Sequence, residues 1–207
     1  MRPLPRLHAI TDAAVVARDD FGIQAAALAS VGPPVALHAR LKGAPVNDLV
    51  RLTTRLLAHA GPPEASVYVN GRPDVARALN AQGVQLAAED LAPSDARRVL
   101  SSGAPAWVGR SVHSLEEARA ASEEGADFLL LGHLYQTPTH SDRAPLGLRA
   151  LEAVVALGLP VIAIGGISAD RVAEVRAAGA YGVAAIRALW EVPDAGAAAL
   201  RMLAPWL

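Results

Sequence analysis

Apolar residues in this chain come in short uninterrupted runs rather than in alternation with polar ones. The runs fall at 7–10, 35–41, 66–69, 84–87, 106–111, 128–132, 161–164 and 182–186, about eight in all. A strand with one face in water alternates; a strand buried on both faces reads as a continuous run. The segments between the runs carry helix punctuation. Pro73 stands where a first helical position would be, and Gly83 is placed to stop that helix. Ser114 with Glu117 three residues later forms a capping box, and Gly125 follows as a stop. Ser168 opens another helix and Gly179 closes it.

Strict alternation of strand and helix implies right-handed parallel crossovers. Eight such units close into a barrel, and 207 residues lie near the low end of the roughly 200 to 400 that barrels span. The prediction is a single (β/α)8 TIM barrel over residues 1–207. An open doubly wound sheet would need fewer strands.

Composition narrows the chemistry. With 52% hydrophobic residues the chain can bury one sizeable core. A net charge of −1 and a pI of about 6.6 argue against nucleic acid or an anionic membrane as partner. There is no cysteine, which excludes thiol catalysis, disulfides and cysteine-ligated zinc. Residues 1–10 hold no long apolar run, and no run approaches the roughly 18 residues of a membrane span. The expectation is a soluble cytoplasmic protein.

In such a barrel the active site lies at the carboxyl ends of the strands. The second strand ends in LHARLKG, where His38, Arg40 and Lys42 alternate and share one side. Facing the mouth they would suit an anionic substrate; facing the helices they would be solvated. Asn70 in VNGR is a hydrogen-bonding group at the mouth or part of the turn before Pro73. Glu89 and Asp90 are carboxylates for a metal or residues of a solvated loop. Ser111 and His113 end the fifth strand and either reach the mouth or pack beside the cap. His133 closes the sixth run, just before a polar loop carrying Pro138 and Pro145. Imidazole suits proton transfer near neutral pH. Gly165 and Gly166 follow the seventh run, and Ile186 and Arg187 the eighth, where barrels commonly cradle a phosphate on backbone amides. Gly147, at the end of the polar loop, would add one more N–H. The residues alone read as a barrel enzyme acting on a small phosphorylated molecule, with His133 as acid and base.

Five motifs then stand together: LHAITD from Leu7, VNGR from Val69, GRSVHSLEEA from Gly109, GADFLLLGHLYQT from Gly125 and PVIAIGGIS from Pro160. In this order and spacing they resemble the thiamine phosphate synthase/TenI superfamily, from about residue 7 to about residue 190. The resemblance implies one of two activities. Synthases join a pyrimidine pyrophosphate to a thiazole phosphate with magnesium held by two aspartates, and carry a lysine in a TPTK loop. This chain keeps Asp90 but has Gly71 in place of the first aspartate, His140 in place of the lysine, and His133 where synthases have proline. It has His38 where synthases usually have glutamine. The TPT at Thr137 to Thr139 remains synthase-like.

The TenI branch resembles the chain at NGR, GRSVHS and GH. Its members are thiazole tautomerases, which aromatise a carboxythiazole phosphate by moving one proton. The expectation is therefore an isomerase that needs no metal or cofactor. By resemblance His133 is catalytic, Arg40 and Lys42 meet the carboxylate, and Asn70 lines the pocket. Gly147, Gly165, Gly166, Ile186 and Arg187 would hold the phosphate. The expected partners are this phosphorylated thiazole carboxylate and further copies of the chain, as a dimer or larger homo-oligomer. The alternatives are a magnesium-dependent thiamine phosphate synthase and a non-catalytic regulator that binds thiazole phosphate.

Overall fold

The structure, a computed structural model, describes residues 3–60, 65–101, 106–137 and 144–206. Eight strands form in the predicted places: β1 (Leu7–Ile10), β2 (Val35–Ala39), β3 (Ser66–Asn70), β4 (Gly83–Leu86), β5 (Trp107–Val112), β6 (Phe128–Leu131), β7 (Val161–Ile164) and β8 (Gly182–Ala185). Each pairs in parallel with the next, and β8 returns to β1, so the sheet closes into a (β/α)8 barrel without an edge. Closure is what lets every strand be buried on both faces.

The helices are α1 (Ala13–Val16), α2 (Phe21–Ala29), α3 (Val46–His59), α4 (Pro73–Ala78), α5 (Pro93–Leu100), α6 (Leu115–Glu123), α7 (Gly147–Val155), α8 (Val172–Ala177), α9 (Arg187–Trp190) and α10 (Ala195–Leu203). Alternate strand residues face opposite ways. Leu7, Ala9 and Leu37 join the layer between sheet and helices. Ile10, Ala36, Tyr68, Phe128, Leu130, Ile162 and Ala184 form the cluster inside the barrel.

The Ser114 cap forms, accepting the Glu117 N–H at 3.1 Å. Glu117 reaches back to the His113 N–H at 2.7 Å, one residue before the cap. Gly83 corrects a prediction. The helix after Pro73 ends at Ala78, and Gly83 begins β4 instead. A Cβ at Gly83 would lie 2.4 Å from the Tyr68 ring, so the glycine makes room for an aromatic filling the barrel.

Candidate active site at the barrel mouth

On the β1–β3 side the interior is polar. His8 and His38 are both fully buried. His8 Nδ1 meets His38 Nε2 at 2.8 Å, His8 Nε2 meets the Pro5 carbonyl at 3.1 Å, and His38 Nδ1 meets the Asn70 carboxamide at 3.1 Å. Burial pushes the His8 pKa well below its ordinary value, and the neighbouring His38 adds to this. Burial likewise pushes His38 down to about 4, with Arg40 acting in the same direction and the Asn70 hydrogen bond against it. Thr11 ties the strand ends together: its hydroxyl donates to the His38 carbonyl at 2.8 Å and accepts the Arg40 N–H at 3.0 Å.

The expected trio of basic groups does not converge. β2 ends at Ala39, so the alternation stops before Lys42, which is exposed in the turn beyond. His38 is sealed in the barrel and neutral near pH 7. Arg40 alone stands half-buried at the strand end, close enough for its charge to act on His38.

Beside Asn70, Gly71 adopts a left-handed φ of +75°, which glycine takes without a steric penalty. A Cβ there would lie 3.1 Å from Asp90 Oδ1. The half-buried Asp90 fills the space against this glycine, and its Oδ2 accepts the Ala87 N–H at 2.6 Å. Glu89 is exposed. Further round, Gln85 donates to the Ser111 hydroxyl at 3.0 Å, so Ser111 does reach the interior. His113 turns aside and hydrogen-bonds the Gly132 carbonyl through Nδ1.

Across the barrel, His133 is 9% exposed and lies one residue beyond the end of β6, after Gly132. Its backbone packs against Gly165, where a Cβ would lie 2.3 Å from His133 Cβ. Leu134 N–H donates to the Ile164 carbonyl at 2.8 Å and Tyr135 N–H to Gly165 at 3.0 Å. The Gly166 carbonyl accepts from Arg171 at 2.8 Å. A trans peptide points its N–H opposite its carbonyl. Pinning the Gly165 and Gly166 carbonyls therefore turns the Gly166 and Ile167 N–H groups to the other side of the chain. Arg171 also lies over the Tyr135 ring at 4.4 Å, and the Tyr135 hydroxyl donates to Glu174 at 2.5 Å. Partial burial and that carboxylate push the Tyr135 pKa up to about 12.

Ile186 precedes α9 and Arg187 opens it, exposed at the rim. Gly147 opens α7, but its N–H is donated to the Leu134 carbonyl at 3.0 Å and is not offered to a ligand in this arrangement. Thr139 and His140 lie outside the described residues.

Sequence reading missed His8, Thr11, Gln85 and Arg171. The signals for the first and third were a polar residue inside an otherwise apolar run. Thr11 and Arg171 carried no signal of their own, because each acts through a neighbour's backbone.

The profile of a family described as thiamine monophosphate synthase matches residues 7–189. The chain belongs to that family. Among its relatives, the thiamine-phosphate synthase of Anaeromyxobacter dehalogenans is 44% identical over 82% of this chain and 76% of its own length. That of Methanoculleus marisnigri is 38% identical over 93% of this chain and 91% of its own. A solved thiamine phosphate pyrophosphorylase from Pyrococcus furiosus superposes with a TM-score of 0.75 at 31% identity, covering 97% of this chain and 94% of that one.

These likenesses overturn the expectation of an isomerase. The tautomerase reading leaned on a few positions, Gly71, His133 and His140, while the agreement with synthases, which are transferases, runs through nearly the whole length. Membership of the TenI branch does not follow from it.

A synthase of this family would use magnesium. Magnesium in phosphate sites commonly takes one or two carboxylates and completes its octahedron with substrate phosphates and water. Asp90 keeps Oδ1 available while Oδ2 is engaged. Among the described residues no three His, Asp or Glu side chains converge as a preformed cage. The donor set fits an ion held by one protein carboxylate and mostly by substrate. No helix among the described residues is long and apolar enough to cross a membrane.

Proposed function

We propose that this protein is a thiamine-phosphate synthase, which joins a pyrimidine pyrophosphate to a thiazole phosphate and releases pyrophosphate. The supporting observation is the 44% identity over most of the chain to a relative of that name. The barrel mouth suits the demand. A bond from carbon to the diphosphate oxygen breaks and a bond from carbon to the thiazole nitrogen forms. The nitrogen attacks with its lone pair, so the step needs charge neutralisation and positioning rather than a base.

Arg40 meets the leaving diphosphate on the β2–β4 side, with exposed Lys42 adding charge at the rim. Asp90 would hold magnesium there, and the ion when bound neutralises the departing phosphates. Asn70 borders the same quarter of the mouth. On the opposite side Gly165 and Gly166, with Ile186 and Arg187, receive the thiazole phosphate. Gly147 braces that cradle through its bond to Leu134. His133 is a packing wall beside the cradle, not a proton shuttle.

The test is product formation. Incubation with both substrates and magnesium yields a joined product by mass spectrometry, and omission of either substrate yields none. No joined product with active substrates overturns the reading.

A further inference from the structure

His8 and His38 make three hydrogen-bonded contacts in line: Pro5 carbonyl to His8, His8 to His38, and His38 to Asn70. Each contact needs one hydrogen. In this arrangement both ends of the line are acceptors, a backbone carbonyl and the Asn70 carbonyl oxygen. Two neutral imidazoles carry only two hydrogens between them. Either one ring is charged, or the Asn70 carboxamide is turned so that its N–H faces His38. Oxygen and nitrogen of an amide are told apart only by such a network.

Both rings are fully buried, and burial disfavours the charged form. The charge of Arg40 acts in the same direction. The network then has one solution. The Pro5 carbonyl can only accept, so His8 carries its hydrogen on Nε2 and accepts on Nδ1. His38 must donate from Nε2 and accept on Nδ1. Asn70 supplies the third hydrogen.

We propose that His8 and His38, both as Nε2–H imidazoles, fix the Asn70 carboxamide with its N–H toward His38 and its carbonyl oxygen toward the barrel mouth. The second amide atom of Asn70 has no hydrogen-bond partner among the described residues and is not among the buried unpaired atoms, so it is open to solvent. An oxygen there offers one hydrogen-bond acceptor at the mouth. It meets a ring N–H or amino group of an incoming molecule, beside the diphosphate that Arg40 meets. His8 and His38 are positioning residues acting through Asn70.

Histidine tautomers are read directly from two-bond ¹H–¹⁵N correlations in ¹⁵N-labelled protein without substrate. The expected result near pH 7 is both rings neutral and protonated on Nε2. A His38 found as the Nδ1–H tautomer or as imidazolium overturns the proposal. His8→Phe removes the acceptor for His38; His38 then shifts to Nδ1–H and Asn70 turns. The KM for the pyrimidine pyrophosphate rises about tenfold with kcat within about twofold, and His8→Asn, whose Oδ1 replaces Nδ1, restores it. An unshifted His38, or an unshifted KM with a shifted tautomer, also overturns it. The kinetic arm rests on the synthase reading; the tautomer arm does not, so a failure of one is told from a failure of the other.

Discussion

Arg40 stands half-buried just beyond β2, where the proposed synthase would set it against the diphosphate. A charge-assisted contact to a diphosphate lost from a partly desolvated site lowers kcat/KM roughly tenfold or more, the expected outcome for Arg40→Ala. Lys42→Ala, exposed in its turn, changes it far less in the same assay. Asp90→Asn raises the magnesium concentration needed for half-maximal rate and leaves the KM for thiazole phosphate unchanged.

His38 gives a stability prediction. Its pKa is lowered from 6.5 to about 4 on folding. Between those values the unfolded chain binds a proton that the folded chain refuses, so stability is present above about pH 6.5 and is lost as pH falls toward 4. The loss is about 3 kcal/mol from this residue, and His8 adds to it. Urea unfolding at pH 7.5 and pH 5 measures the drop, and His38→Gln makes it smaller. Single residues were the least legible level of the sequence. His38 was visible as one of three alternating basic groups, but its neutrality follows from complete burial inside the closed barrel, which no local pattern announces.

Between elements, the junction of β6 with β7 supports the proposed phosphate cradle. Gly165 has φ of +96° and its missing Cβ leaves room for His133. Gly165→Ala adds overpacking to a left-handed backbone and costs about 3 kcal/mol. In a chain this size that lowers Tm by about 10 °C. Gly147 is the control, with φ of +72° and open space about its Cα; Gly147→Ala costs about 1 kcal/mol or a little more, from backbone strain alone. Thermal unfolding of the two variants side by side checks the ordering.

Element positions were readable because burial on both faces leaves a continuous apolar run, and a run needs no distant information. Boundaries moved where tertiary packing intervened. β2 stops at Ala39 instead of continuing through Leu41, and Gly83 serves Tyr68 across the barrel rather than a helix end. The capping box at Ser114 was legible because a cap is a contact over three residues.

At the scale of the molecule, closure of eight parallel strands brings the ends of β2, β3 and β4 to one side of a mouth and those of β6, β7 and β8 to the other. The barrel followed from the count of runs and the chain length. The reaction did not follow from the few positions that differ between branches of the family. Gly71 and His140 set the chain apart from synthases and His133 suggested proton transfer, but whether a histidine handles protons depends on the substrate in front of it, and identity over 82% to 93% of the chain ties it to proteins named thiamine-phosphate synthase. In the proposed synthase the mouth must neutralise two anionic substrates, a task that Arg40, Asp90 with an ion, and the glycine cradle would divide between its two sides.

The most direct measurement of that account is pyrophosphate released against thiazole phosphate consumed, with both substrates and magnesium present. One pyrophosphate per thiazole phosphate, and none when either is omitted, is the expected outcome. Pyrophosphate release without thiazole phosphate, or none at all, contradicts it.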